Sequence, residues 1–171
     1  VSLINRLLSA MTDVVLSLDG TIDKYMGDCV MAFWNAPVDC ENHEKQAVMC
    51  AARMMVALEH LNAEIEAEGL PRMGLGIGVN SGPCVIGNMG GSKRFDYSAI
   101  GDAVNVASRL ESSTRKYVHN VLIGEATAKV VPDLVKHVDS IEVKGKSEKL
   151  EVYTLSGQAI HEAHLADHLI L

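Results

Sequence analysis

Apolar residues open the chain at helical spacing: Leu3, Leu7, Leu8, Met11, Val14 and Val15 fall on one stripe of residues 2–15, since positions three and four apart share a helix face. The helix is expected to end near Asp19-Gly20, with Gly20 suited to a left-handed cap. The period then shortens. Residues 21–25 alternate as a strand, Gly27-Asp28 makes a hairpin turn, and residues 29–34 return as an apolar strand. After the loop Asn35-Ala-Pro-Val-Asp39, the apolar positions Val48, Ala51, Met55, Leu58, Leu61 and Ile65 predict a long helix over 41–68, stopped by Gly69-Leu-Pro71.

Two further strands are expected over 72–79 and 84–88, around Asn80-Ser-Gly-Pro83, and Gly90-Gly91 opens a polar connection up to Arg94. Helical spacing resumes over 102–116. A strand over 118–123, a helix over 125–130 and a hairpin of 141–143 with 150–155 around Gly145 complete the pattern. Strands and helices mix without a repeat, which predicts an α+β sandwich with an antiparallel-rich sheet and packed helices, mainly on one face.

Composition narrows the function classes. With 171 residues, 48% hydrophobic and 22% charged, the chain fits one soluble domain. A net charge of −7 and a pI near 5.4 argue against nucleic acid as a partner, because phosphate contacts need clustered Lys and Arg. Cys29, Cys40, Cys50 and Cys84 form no CxxC pair and read as buried unpaired thiols in a reducing compartment. Neither a signal peptide nor an apolar run of about 18 residues is present. The chain starts at Val1 directly in a helix, which suggests that sequence upstream is missing. His161, His164 and His168 in the tail, 158–171, have helical spacing. A linker, crystal contact or vector-derived end is preferred over a metal site, which needs a rigid supporting shell.

Three segments carry candidate chemistry. Thr21-Ile-Asp-Lys-Tyr-Met-Gly-Asp-Cys-Val-Met-Ala-Phe33 puts Lys24 four residues before Asp28, at the tip of a hairpin. In isolation Lys24 reads as an exposed strand lysine and Gly27-Asp28 as a turn dipeptide. Phe95-Asp-Tyr-Ser-Ala-Ile-Gly-Asp-Ala-Val-Asn-Val-Ala-Ser-Arg-Leu-Glu111 sets Asn105 and Arg109 on one helix face, where they either serve one ligand or are simply solvated. Val143-Lys-Gly-Lys146 is a basic turn.

With the intervening Gly78-Val-Asn-Ser-Gly-Pro-Cys-Val-Ile-Gly-Asn88, these segments resemble the catalytic domain of the class III nucleotidyl cyclases over about 1–157. The resemblance implies a ferredoxin-like core, here without its first strand. It further implies conversion of ATP to 3′,5′-cyclic AMP and pyrophosphate, with two Mg²⁺ or Mn²⁺ ions per site, at the interface of a homodimer. Asp28 matches a metal-binding aspartate. Lys24 and Ser98 match the residues that read adenine, Asn105 and Arg109 those that orient the ribose and stabilise charge on the α-phosphate, and Lys144 the contact to the terminal phosphates, with Lys146 as its alternative. Family members have glutamate at position 24 when they take guanine. Serine at 98 departs from the aspartate form, and as a rotatable hydroxyl it discriminates less firmly. The family's first metal aspartate lies upstream of Val1, so the 171 residues alone are expected to be inactive. The resemblance also implies a cytoplasmic domain, in a parent protein that can carry a sensor or membrane segment. A guanylate cyclase and a degenerate nucleotide-binding or dimerisation module are the alternatives.

Overall fold

The structure is a computed structural model that describes residues 2–88, 97–142 and 148–169. In chain order the elements are α1 (Ser2–Ser17), β1 (Thr21–Met26), β2 (Cys29–Phe33), α2 (His43–Ala67), β3 (Ile77–Val79), β4 (Val85–Asn88), β5 (Tyr97–Ile100), α3 (Asp102–Ser113), β6 (Val121–Gly124), α4 (Glu125–Ala128), β7 (Val135–Glu142), β8 (Lys149–Leu155) and α5 (Gly157–Leu169). Short 3₁₀ turns cover Thr114–Lys116 and Pro132–Leu134. The chain divides into two compact units, Val1–Leu75 with Val85–Ile100 and Gly76–Cys84 with Gly101–Leu171. The α+β class and its antiparallel-rich pairing are as the hydrophobic pattern predicts.

In the first unit, Leu7 and Met11 of α1 meet Leu58, Leu61 and Ile65 of α2 in one buried cluster. Burial of such side chains stabilises by roughly 1.5–3 kcal/mol each. The residue that takes the left-handed conformation after α1 is Asp19 (φ 66), not Gly20, an exception that a short polar side chain tolerates. Gly20 instead makes room for Trp34, whose ring atoms would lie 2.8 Å from an added Cβ. Trp34 is tied down by its own indole N–H, which donates to the Leu18 carbonyl at 2.9 Å. Two antiparallel pairs, β1 with β2 and β4 with β5, complete this unit.

The second unit is built on a four-stranded sheet of order β3-β6-β8-β7, in which β3 and β6 run parallel and the other pairs antiparallel. Leu110 of α3 packs with Leu122 and Val152 to form its core. Gly78 lets α3 lie directly on β3: a Cβ there would collide with the Ala107 carbonyl and come within 2.5 Å of the Glu111 amide. Helix α5 is anchored by the Ser156 hydroxyl, which accepts from the Ala159 N–H at 3.2 Å, and it buries Ala159 and Ala163.

Several boundaries differ from expectation for local reasons. The strand expected over 72–79 shrinks to β3 because the side chain of buried Asn62 takes both backbone groups of Met73, at 3.0 and 2.8 Å; a backbone so satisfied gains nothing from a ladder. The helix expected to reach 116 tightens to 3₁₀ at Thr114, whose hydroxyl bonds back to the Glu111 carbonyl at 2.7 Å. The strands on either side of Asn80-Ser-Gly-Pro83 pair elsewhere, β3 with β6 and β4 with β5, and β5 itself is an addition to the expected pattern. The final hairpin is longer than predicted, since β7 begins at Val135.

Candidate active site

The cluster that matters most in the first unit begins with a β-bulge. In the β1–β2 pairing Ile22 stands opposite Ala32 and Lys24 opposite Met31, so Asp23 is an extra residue in the ladder. A bulge breaks the two-residue alternation and re-aims neighbouring side chains. The two consecutive charged residues lie in different surroundings. The Asp23 side chain is 1% exposed, whereas that of Lys24 is 46% exposed.

A buried carboxylate is costly unless donors surround it. Asp23 Oδ1 accepts from the Ser98 hydroxyl at 3.1 Å, and Oδ2 accepts from the Ala99 backbone N–H at 2.9 Å. Lys24 Nζ stands 3.6 Å from Oδ1. Lys24 and Ser98, far apart in sequence, therefore converge on one carboxylate oxygen. Ser98 itself is 8% exposed. Asp28 sits beside Gly27 (φ 60) at the exposed tip of the same hairpin.

In the second unit, Asn105 and Arg109 are both exposed on α3, one turn apart, while Leu110 on the opposite side is buried. Gly101 precedes the helix, and an added Cβ there would stand 3.0 Å from the Pro83 carbonyl, which keeps the chain closely packed at this junction. Lys144 and Lys146 lie outside the described residues.

Two expectations outside the site change. The thiols are not uniformly buried: Cys50 is, but Cys29 and Cys84 are exposed and Cys40 is intermediate, and none of the four forms a disulfide. Burial pushes the Cys50 thiol up to about 12, against the opposing charge of Arg53, so it stays protonated. In the tail, His161 and His164 are exposed on α5. Among the described residues no group of three or more His, Cys, Asp or Glu side chains is placed to hold a metal. No described helix is long and apolar enough to cross a membrane.

As a metal donor, Asp28 offers a hard, accessible carboxylate oxygen of the type that Mg²⁺ and Mn²⁺ prefer. Magnesium is commonly held by one or two carboxylates together with substrate phosphates, and a single exposed Asp fits that pattern.

The family model described as adenylate and guanylate cyclase catalytic domain matches residues 1–157. The chain belongs to this cyclase family. It is 36% identical over 159 residues to adenylate cyclase 1 of Rhizobium meliloti (strain 1021), an alignment that takes in 92% of this chain and 24% of that protein. The chain thus spans about a quarter of that relative's length. Among solved structures, the adenylyl cyclase CyaB from P. aeruginosa is 34% identical with a TM-score of 0.74, covering 91% of this chain and 81% of that one. The guanylyl cyclase Cya2 is 28% identical with a TM-score of 0.79 over the same shares, 91% and 81%. The cyclase fold is thus shared with relatives named for either base.

Asp23 is the member of this cluster that sequence reading passed over. Its signal was present as two adjacent charges, Asp23-Lys24, inside a strand whose alternation should have kept one of them out of the core.

Proposed function

We propose that this cyclase domain is an adenylate cyclase, forming 3′,5′-cyclic AMP and pyrophosphate from ATP at the interface of a homodimer. The observation that carries the reading is the convergence of Lys24 and Ser98 on Asp23, which holds the two candidate base-reading groups in one place. Lys24 donates to adenine N1 and Ser98 accepts from the exocyclic amino group. Asn105 orients the ribose. The 3′-oxygen attacks the α-phosphorus, its proton passes to solvent, and pyrophosphate departs with the bonding electrons. Arg109 stabilises the charge that grows on the α-phosphate, and Lys144 binds the terminal phosphates.

Asp28 would hold the divalent ion, of which the proposed site takes two, Mg²⁺ or Mn²⁺; the ions neutralise phosphate charge when bound. In the homodimer, Asp28 of one chain faces nucleotide held by Lys24, Ser98, Asn105, Arg109 and Lys144 of the other. A symmetric pair then has two composite sites. The activity belongs in the cytoplasm.

The deciding experiment measures cyclic nucleotide formation by the full-length protein from Mn²⁺-ATP and Mn²⁺-GTP. Preference for ATP is the expected result. No product from either nucleotide, with the dimer verified by sedimentation, would replace this reading with a regulatory module. Within an active enzyme, Arg109→Ala should slow turnover by roughly 10²–10³-fold, as removal of a preorganised donor to developing charge does.

A further inference from the structure

A serine hydroxyl is an ambiguous reader of a purine base. It owns one proton and two lone pairs, so it can accept from the amino group at position 6 of adenine or donate to the carbonyl at position 6 of guanine. Its choice depends on what else claims the proton.

In this chain the proton is claimed. The Ser98 hydroxyl donates to Asp23 Oδ1 at 3.1 Å, with Oδ2 at 3.4 Å, and an ionised carboxylate can only accept. Asp23 is held in that orientation from two other directions, by the Ala99 N–H at 2.9 Å and by the ammonium of Lys24 at 3.6 Å. With its side chain 1% exposed, it has little water to bind in place of Ser98. Asp23 is the bulged residue of the β1–β2 ladder.

We propose that Asp23 is the specificity-setting residue of the base site: by taking the Ser98 proton it leaves only lone pairs facing the base, and turns a hydroxyl that could read either purine into an acceptor for the adenine amino group. Asp23 does not touch the nucleotide. It is a positioning residue acting through Ser98, and it holds the Lys24 ammonium beside the same site. The inference rests on the adenine-reading role proposed above for Lys24 and Ser98.

The test is the ratio of kcat/KM for ATP to that for GTP in the full-length enzyme. Asp23→Asn keeps the shape: the amide oxygen can still accept from Ala99, and the amide nitrogen now donates to Ser98 and frees the hydroxyl proton to face the base. The ratio should fall about tenfold, the scale of one hydrogen bond. In a Ser98→Ala background, Asp23→Asn should leave the ratio where Ser98→Ala alone has put it. Asp23→Ala, which frees the Ser98 hydroxyl without offering a donor, is a second route to the same loss and serves if the Asn variant does not fold, as judged by thermal unfolding.

Equal losses of rate for ATP and GTP, with the ratio unchanged, would make Asp23 a purely structural residue and overturn the inference. So would an effect of Asp23→Asn that persists in full without the Ser98 hydroxyl. If Lys24→Glu and Ser98→Ala also leave the ratio unchanged, the adenine-reading proposal itself has failed. A ratio that responds to Lys24→Glu and Ser98→Ala but not to either Asp23 variant removes only the role of Asp23.

Discussion

Both units contain an antiparallel pair with a bulge next to an aspartate, and the two are used differently. In β1 the bulged residue is Asp23 itself, whose carboxylate is buried against Ser98 and Ala99. In β7 the register shifts between His137 and Asp139, and Asp139 stays on the surface, accepting from the Tyr117 hydroxyl at 2.7 Å and from the Ser140 N–H at 2.8 Å. Nearby, Glu151 accepts from the Ser140 hydroxyl and is paired with His137, both at 2.5 Å. The backbone device is the same. What separates the two is water: an exposed carboxylate can exchange any partner for solvent, whereas a buried one fixes the groups that donate to it.

Activity should separate the two pairs most sharply. Lys24→Ala, beside the buried aspartate, is expected to lower kcat/KM for ATP on the order of 100-fold, whereas Lys136→Ala on β7 should change it by less than about twofold. Steady-state assays of the two variants break the comparison if they agree.

Stability should separate them next. Asp23→Ala leaves the Ala99 N–H and the Ser98 hydroxyl unpaired in a buried place, which costs roughly 1–3 kcal/mol in urea unfolding. Asp139→Ala should leave the midpoint within error, since its donors turn to water.

The smallest effect is one of pH. The Ser140 hydroxyl first, and then His137, holds Glu151 below its ordinary value of 4.5. The Tyr117 hydroxyl first, and then the Ser140 N–H, does the same for Asp139, below 3.8, and the same bond raises Tyr117. A carboxyl whose folded value is depressed contributes stability above its unfolded value and loses it as the pH falls through the folded one. The difference in urea midpoint between the native chain and Glu151→Gln should therefore be small at pH 7 and close as the pH falls below the ordinary value of 4.5. A difference that widens on acidification would contradict the surface assignment.

Legibility followed the regularity of each segment. The stripe of Leu7 and Met11 and the spacing of Leu58, Leu61 and Ile65 made α1 and α2 readable, because helix periodicity needs no knowledge of the partner. Most of β7 was not readable. Its half-buried positions, Val135, Val138 and Ile141, recur every three residues along a strand interrupted by a bulge between His137 and Asp139, so the pattern lacks a strand's period. The candidate residues Lys24, Asp28, Ser98, Asn105 and Arg109 were found by motif, but nothing local to Ser98 shows that a carboxylate 75 positions away takes its proton.

By itself, then, the sequence determined the helices with a clean apolar stripe, the mixed α+β class, and the cyclase family through motifs whose residue types and order suffice to mark it. Only the tertiary structure decided that β3 joins β6 rather than its neighbour in sequence, that Met73 is held by Asn62 rather than by a strand, and that Asp23 is buried on Ser98. The physical reason is common to all three. Periodicity is a property of adjacent residues, whereas burial and the satisfaction of a polar group depend on which distant segment arrives beside it.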